Sequence, residues 1–214
     1  MNDRRWACAL CISLAVLLFA PPACAKLLQL LVDPSATEIV ATVDEPFARI
    51  RGTASGSFQV ITGEIDGDPA DPVKTGHIDL VINATTYQSD SAHRDQSVLR
   101  DTLETRFYPI IKFVSTRIED LKWDAPSVIG GATIVGNLTL HGVTREIRVP
   151  ISATLSTDGR FSADGDVQFD CTDFNITPPH ALFGALKAGR IVDLNFRVIA
   201  APRDAPASTP APQQ

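Results

Sequence analysis

The stretch Val135-Gly136-Asn137-Leu138-Thr139-Leu140-His141-Gly142-Val143-Thr144-Arg145-Glu146-Ile147-Arg148-Val149-Pro150-Ile151-Ser152 decides the fold. Gly136, Leu138 and Leu140 alternate with Asn137, Thr139 and His141; beyond His141-Gly142, Ile147, Val149 and Ile151 alternate with Glu146, Arg148 and Ser152. A period of two sends successive side chains to opposite faces of a strand, and a short glycine-containing step between two such runs signals a hairpin. The segment predicts two antiparallel strands, each with one apolar and one wet face. The same alternation recurs outward from it. Ile78, Leu80 and Ile82 oppose His77, Asp79 and Asn83, and Ile111, Phe113 and Ser115 oppose Lys112. Phe161, Ala163, Val167 and Phe169 oppose Ser162, Asp164, Asp166, Gln168 and Asp170, while Val192, Leu194, Phe196 and Val198 oppose Asp193, Asn195 and Arg197. Fainter strand patterns cover 27–32, 38–43, 48–51 and 57–64, separated by Asp33-Pro34, Asp44-Glu45-Pro46 and Gly52.

The fold class is therefore all-β, and the composition agrees. Among 214 residues, 44% are hydrophobic and 21% charged, the balance of a globular chain, and 15 prolines with 13 glycines punctuate the apolar runs without a collagen-like period. A net charge of −6 leaves no basic stripe for a phosphate backbone, so no nucleic-acid partner is expected. About eight strands with one apolar face each must either stack as two sheets or close on themselves. A sandwich fills its interior with its own side chains, whereas an eight-stranded barrel is wide enough to hold a ligand. Alternation alone prefers neither.

Residues 1–25 read as a secretory signal peptide: Arg4 and Arg5, an apolar run, then Ala23-Cys24-Ala25. The run is shorter than a membrane span, and no stable transmembrane segment is expected after cleavage. Residues 26–199 read as one folding unit, and 200–214, rich in Pro and Ala, as a disordered tail. Cleavage leaves Cys171 as the sole cysteine, a buried small hydrophobe in an alternating run. Lipid attachment at Cys24 is the weaker reading, because Pro21-Pro22-Ala23 departs from the approach such sites need.

Between the strands, Val98, Leu99 and Leu103 share one helical face, with Ser91 as cap and Tyr108-Pro109 as stop, so a short helix is expected there. The segment 175–190 reads as a long connection with a helical turn around 181–186. No metal is expected, because His77, His93, His141 and His180 lie on separate elements without ligand spacing; His77 and His141 fall on wet faces. No nucleophile elbow or Cys/His dyad is present, so the chain reads as no enzyme. Arg94 and Asp95 read first as anchors of the helix, and only second as groups for a head group or a proton. The run Asp66-Gly67-Asp68-Pro69-Ala70-Asp71-Pro72 lacks calcium-loop spacing and reads as a turn.

The run Ser91-Ala92-His93-Arg94-Asp95-Gln96-Ser97-Val98-Leu99-Arg100, followed by Phe107-Tyr108-Pro109-Ile110-Ile111-Lys112-Phe113-Val114-Ser115, resembles the hallmark segment of the YceI-like family. Val135-Gly136-Asn137-Leu138-Thr139-Leu140-His141-Gly142-Val143-Thr144 is similar to that family's Gly-x-Leu-Thr-hydrophobic-His-Gly hairpin, and the likeness extends over about 28–199. The chain departs from the pattern at Phe47-Ala48-Arg49-Ile50-Arg51, at Cys171-Thr172-Asp173-Phe174-Asn175 and in its scarcity of Tyr. The resemblance implies an eight-stranded antiparallel, lipocalin-like barrel with a short helix between central strands. It also implies a bacterial periplasmic protein that holds a polyisoprenoid or isoprenoid quinone without catalysis or cofactor. On that reading the inward residues Phe58, Ile78, Leu80, Ile82, Ile111, Phe113, Leu138, Leu140, Val149, Phe169, Leu194 and Phe196 line the ligand. The rival reading is a ligand-free structural or adhesion module with a filled core. Assembly into a homodimer stays open in both.

Overall fold

The alternating runs become strands in the computed structural model, which describes residues 27–47, 50–122, 130–178, 180–181, 186–187 and 189–203. In chain order these are β1 (Leu28–Val32), β2 (Glu38–Phe47), β3 (Ile50–Phe58), β4 (Ile61–Gly67), β5 (His77–Asn83), β6 (Tyr87–Ser89), β7 (Ile110–Lys122), β8 (Gly130–Leu140), β9 (Val143–Leu155) and β10 (Phe161–Asp170). A two-residue pair, β11 (His180–Ala181) with β12 (Leu186–Lys187), precedes β13 (Ile191–Pro202). Antiparallel pairing runs β1-β4-β5-β7-β8-β9-β10-β13, and β13 returns to β1 through Leu30–Pro202, Leu31–Ala201 and Val32–Ala200. The sheet is a closed eight-stranded barrel. Closure excludes the sandwich, since no sheet edge is left in the ring.

Three further strands extend this ring rather than adding to its circumference. β13 pairs with β1 at Ala200–Pro202 and with β2 at Val192–Arg197, so β1 and β2 lie end to end along one edge. In the same way β4 and β3 lie end to end, as do β5 and β6. Each position is broken by local chemistry. At the first break, the Asp33 carboxylate accepts the Ser35 N–H (2.9 Å) and hydroxyl (2.6 Å), bonds that hold its pKa below the usual carboxylate value, and Pro34 has no donor for a ladder. The strand resumes where the buried Thr37 hydroxyl accepts the Ile199 N–H (3.1 Å), replacing its missing backbone partner, and donates to the Ile199 carbonyl (3.3 Å), which also accepts the Asp33 N–H (2.8 Å). At the others, the Thr86 hydroxyl accepts the N–H groups of Gln59 (3.2 Å) and Val60 (3.1 Å), and Asn83 caps the 3-10 turn Ala84–Thr86.

Beyond these breaks β6 has no pairing with β7, and the gap is covered by α2 (Ala92–Ser97) and the π-helical turn Val98–Thr102. The Ser91 hydroxyl caps α2 by accepting the Arg94 N–H (3.4 Å). Asp95 ties the helix to β6 by accepting the Ser89 N–H (2.8 Å) and hydroxyl (2.6 Å), and Arg94 pairs with Asp90. Both charges thus hold the helix in place. The helical run ends at Thr102, well before Tyr108-Pro109, because Glu104 takes a left-handed conformation (φ 45°) and turns the chain. At the other end a second short helix, α1 (Pro72–Thr75), follows the acidic turn.

Several boundaries differ from the sequence reading. Gly52 does not divide strands: β3 runs through it, and the division falls at Gln59-Val60, inside the run expected to be one strand. β13 continues through Pro202 with Ala200 fully buried, so the barrel takes in the first residues of the expected tail; a methyl side chain suffices at that crowded closure point. Ala181 and Leu186 are paired strand residues rather than part of a helical turn. The expected signal peptide with Cys24, the positions 48–49 and 182–185, and the tail from 204 onward lie outside the described residues.

Thr37→Val keeps the shape but strands the Ile199 N–H, while the Ile199 carbonyl keeps the Asp33 N–H (2.8 Å) as its donor. Chemical denaturation of this variant should show a loss of about 1–3 kcal/mol, with an unchanged slope against denaturant.

Candidate functional site

Inward-facing side chains from all eight positions meet around three apolar cavities strung along the barrel. The α1-end cavity is about 100 Å³, bounded by Leu28, Leu30, Ile65, Pro69, Pro72, Ile118, Leu121 and Phe161 among others. The middle cavity is about 90 Å³ and has only apolar residues in its wall. The α2-end cavity, about 150 Å³, lies under Val98, Thr102 and Leu103 of the helical cover. Neighbouring cavities share walls: Ile65, Ile78, Ile134, Ile151 and Phe161 separate the first two, and Ile39, Ile82, Leu138, Phe169 and Leu194 the second two. The interior is one segmented apolar passage.

The structure brings all twelve residues singled out in the sequence to this passage. Phe58, Ile111 and Leu140 line the α2-end cavity. Ile82, Leu138, Phe169 and Leu194 stand between it and the middle one. Leu80, Phe113, Val149 and Phe196 line the middle cavity, and Ile78 faces both the middle and the α1 end. The sequence reading missed Ile39, Ile134, Tyr87 and Ile176. Ile134 and Ile39 could have been found, since Ile134 keeps the alternation of Leu138 and Leu140 and Ile39 that of Ala41 and Val43. Tyr87 and Ile176 sit in a three-residue strand and a loop, too short for any period to show. Val98 and Leu103 were legible as a helical face, but not as the roof of a cavity.

Ion pairs cluster on the outer face of β7 and β9. Arg117 on β7 donates to Glu119 (2.7 Å) and, across β8, to Glu146 (3.0 Å), while Arg148 pairs with Glu119 (2.7 Å). The guanidinium groups hold both carboxyls below the usual range. Cys171 is buried in the wall of the α2-end cavity, its thiol directed to the Ile176 carbonyl; desolvation first, and Asp170 second, push its pKa up and keep it a neutral thiol. Among the described residues no group of three or more His, Cys, Asp or Glu side chains could hold a metal ion.

His141 departs from its expected wet-face position. Its side chain is only 10% exposed, its Nε2 lies 2.8 Å from a Glu104 carboxylate oxygen, and its ring packs on Tyr108 with centroids 4.3 Å apart. The reason is the turn itself. His141 (φ 51°) and Gly142 (φ 74°) form a left-handed two-residue hairpin turn. A Cβ on Gly142 would come within 2.7 Å of the Tyr108 ring, so the bare glycine lets the turn dock against the segment leading from the helical cover. The Glu104–His141 contact pins the end of that cover to the hairpin.

A passage of this kind has one chemical capability, the removal of hydrocarbon from water. Each methylene transferred contributes about 0.8 kcal/mol, and an apolar void of ~150 Å³ stays dry when no polar group lines it. Among the described residues no helix is long and apolar enough to cross a membrane.

Residues 31–200 match the YceI-like domain. The chain is 31% identical over 132 residues to a UPF0312 protein of Yersinia enterocolitica, covering 57% of this chain and 62% of that one. It is 31% identical over 134 residues to a UPF0312 protein of Pseudomonas putida, covering 59% and 65%. The chain thus spans less than two thirds of the length of these relatives. Among solved structures, Burkholderia cenocepacia BcnA superposes with a TM-score of 0.65 at 19% identity, over 79% of this chain and 99% of that one. A polyisoprenoid binding domain from Saccharophagus degradans, implicated in plant cell wall breakdown, superposes at 0.63 with 15% identity, over 83% and 99%. These likenesses show a shared fold.

Leu138 stands between two cavities, so Leu138→Ala should merge them without collapse. Denaturant titration is expected to register a loss of about 2–5 kcal/mol, the upper half of that range if the void persists.

Proposed function

The chain belongs to the YceI-like family, and from that premise we propose that it is a periplasmic carrier or reservoir for a long-chain isoprenoid lipid, held noncovalently along the barrel. The observation that carries this reading is the segmented passage: an interior of three adjoining voids walled mostly by aliphatic and aromatic side chains. Such a wall complements a long, branched hydrocarbon along its length and offers little to a polar ligand. The polyisoprenoid-binding domain of Saccharophagus degradans shares this barrel, which supports an isoprenoid as the class of guest. A polyisoprenol derivative and an isoprenoid quinone are equally well served, since both present the same tail. The charged start, apolar core and small-residue exit of residues 1–25 support a periplasmic location.

The twelve inward residues act in this proposal by shape and desolvation. None is an acid, base or nucleophile, and the protein is read as a binding module that leaves its cargo chemically unchanged. The ligand-free alternative would need a filled core, and the voids of about 100, 90 and 150 Å³ left between packed side chains support a fillable interior instead.

Purified protein extracted with organic solvent should release a long-chain isoprenoid detectable by mass spectrometry; repeatedly empty extracts, together with no uptake of added polyprenol, would refute the carrier. Leu140→Arg places an unpaired charge in the α2-end cavity and should abolish uptake, with circular dichroism confirming that the barrel survives.

A further inference from the structure

The barrel wall is not equally closed all the way round. β9 and β10 pair only from Leu155–Phe161 to Ile151–Gly165, although β9 reaches back to Val143 and β10 runs on to Asp170. Both strands are held along their outer edges: β8 accompanies β9 from Gly130–Ala153 to Leu140–Val143, and β13 accompanies β10 from Phe161–Ala200 to Asp170–Ile191. The seam between them is therefore unzipped, not frayed. Below it the wall is tied again, where Arg145 donates from Nε to the Asp173 carbonyl (3.2 Å). The result is a bounded slit between residues 146–150 and 166–170, roughly 16 Å long at ~3.3 Å per residue.

Two features mark where pairing stops. Pro150 lacks an N–H, and Gly165 lets the strands converge so closely that a Cβ there would lie 2.4 Å from the Pro150 carbonyl oxygen. Behind the slit, Ile147, Val149, Val167 and Phe169 all line the middle cavity. At its upper end Ile151 and Phe196 line both the middle cavity and an external groove of about 630 Å³, so the wall there is one side chain thick. The β6–β7 gap is unpaired too, but it is roofed by the helical cover, which Asp95 binds to β6 and the Glu104–His141 contact binds to the hairpin. Separating β9 from β10 over the slit breaks no backbone ladder.

We propose that the hydrocarbon guest enters and leaves sideways through the β9–β10 slit rather than through either end of the barrel. This rests on the carrier reading above. Side-chain rotation of Phe169 and Ile147 is the motion required, and it leaves the closing pairs of the barrel intact.

Continuing the register places Arg148 across the slit from Gln168, both exposed on the outer face. The double variant Arg148→Cys with Gln168→Cys, joined by a short bifunctional thiol reagent, locks the lips together. Stopped-flow uptake of a fluorescent polyprenol is then compared with the same variant capped by a monofunctional reagent, and with each single variant given the bifunctional one. The linked protein should load at least about tenfold more slowly than all three controls, as for other gated sites. Equal loading rates would overturn the slit as the route, leaving the carrier intact; no uptake by the capped protein at equilibrium, when wild type also takes up none, would instead remove the carrier reading itself.

Discussion

The whole structure depends on three residue pairs, Leu30–Pro202, Leu31–Ala201 and Val32–Ala200, that join the first strand to the last. Without them the sheet would end in two bare edges and an apolar face open to water, since each strand buries only one side. With them, every strand of the ring has two neighbours and the apolar faces turn inward together. The chain spends little on this closure. Ala200 and Ala201 are small, and the partner strand β1 has only five residues.

An inward-turned set of faces does not by itself leave a hollow. Here the voids persist because large aliphatic side chains are spread round a ring of eight positions, and because the ring is lengthened at one end by β2, β3 and β6, where the cover of α2 and the π-helical turn stands off from the opposite wall. The charged groups stay on the outer face, where Arg117, Arg148, Glu119 and Glu146 satisfy one another. The wall of the middle cavity is thereby left without a charged group whose desolvation would have to be offset.

Much of this was legible in the amino-acid order, and the limits have physical causes. Alternation through Leu138, Leu140, Ile147 and Val149 reports directly which way each side chain points, so all twelve inward residues could be named. Closure could not be read, because the pairing of Val32 with Ala200 joins positions far apart in the chain and leaves no local mark; the family resemblance supplied it. The division at Gln59-Val60 was hidden for a similar reason: it is held by Thr86, in the distant 3-10 turn between β5 and β6. Gly52 was misjudged because a glycine signals conformational freedom whether or not the fold uses it. His141 was misplaced because alternation extends to the last residue of a strand, while the turn that follows swings that side chain onto Tyr108.

The three breaks in the wall lie at one level, and at each a hydroxyl, carboxylate or amide side chain supplements the few backbone bonds that remain. The ring at the α1 end and the extension at the α2 end are thus separately specified pieces of one wall. A lineage could lengthen, shorten or reshape the extension by changing the segments after Thr37, before Gln59 and after Thr86 while the ring kept its register. Relatives built on this plan can accordingly differ in the girth and depth of the vessel they offer, with the same staves and the same closing hoop.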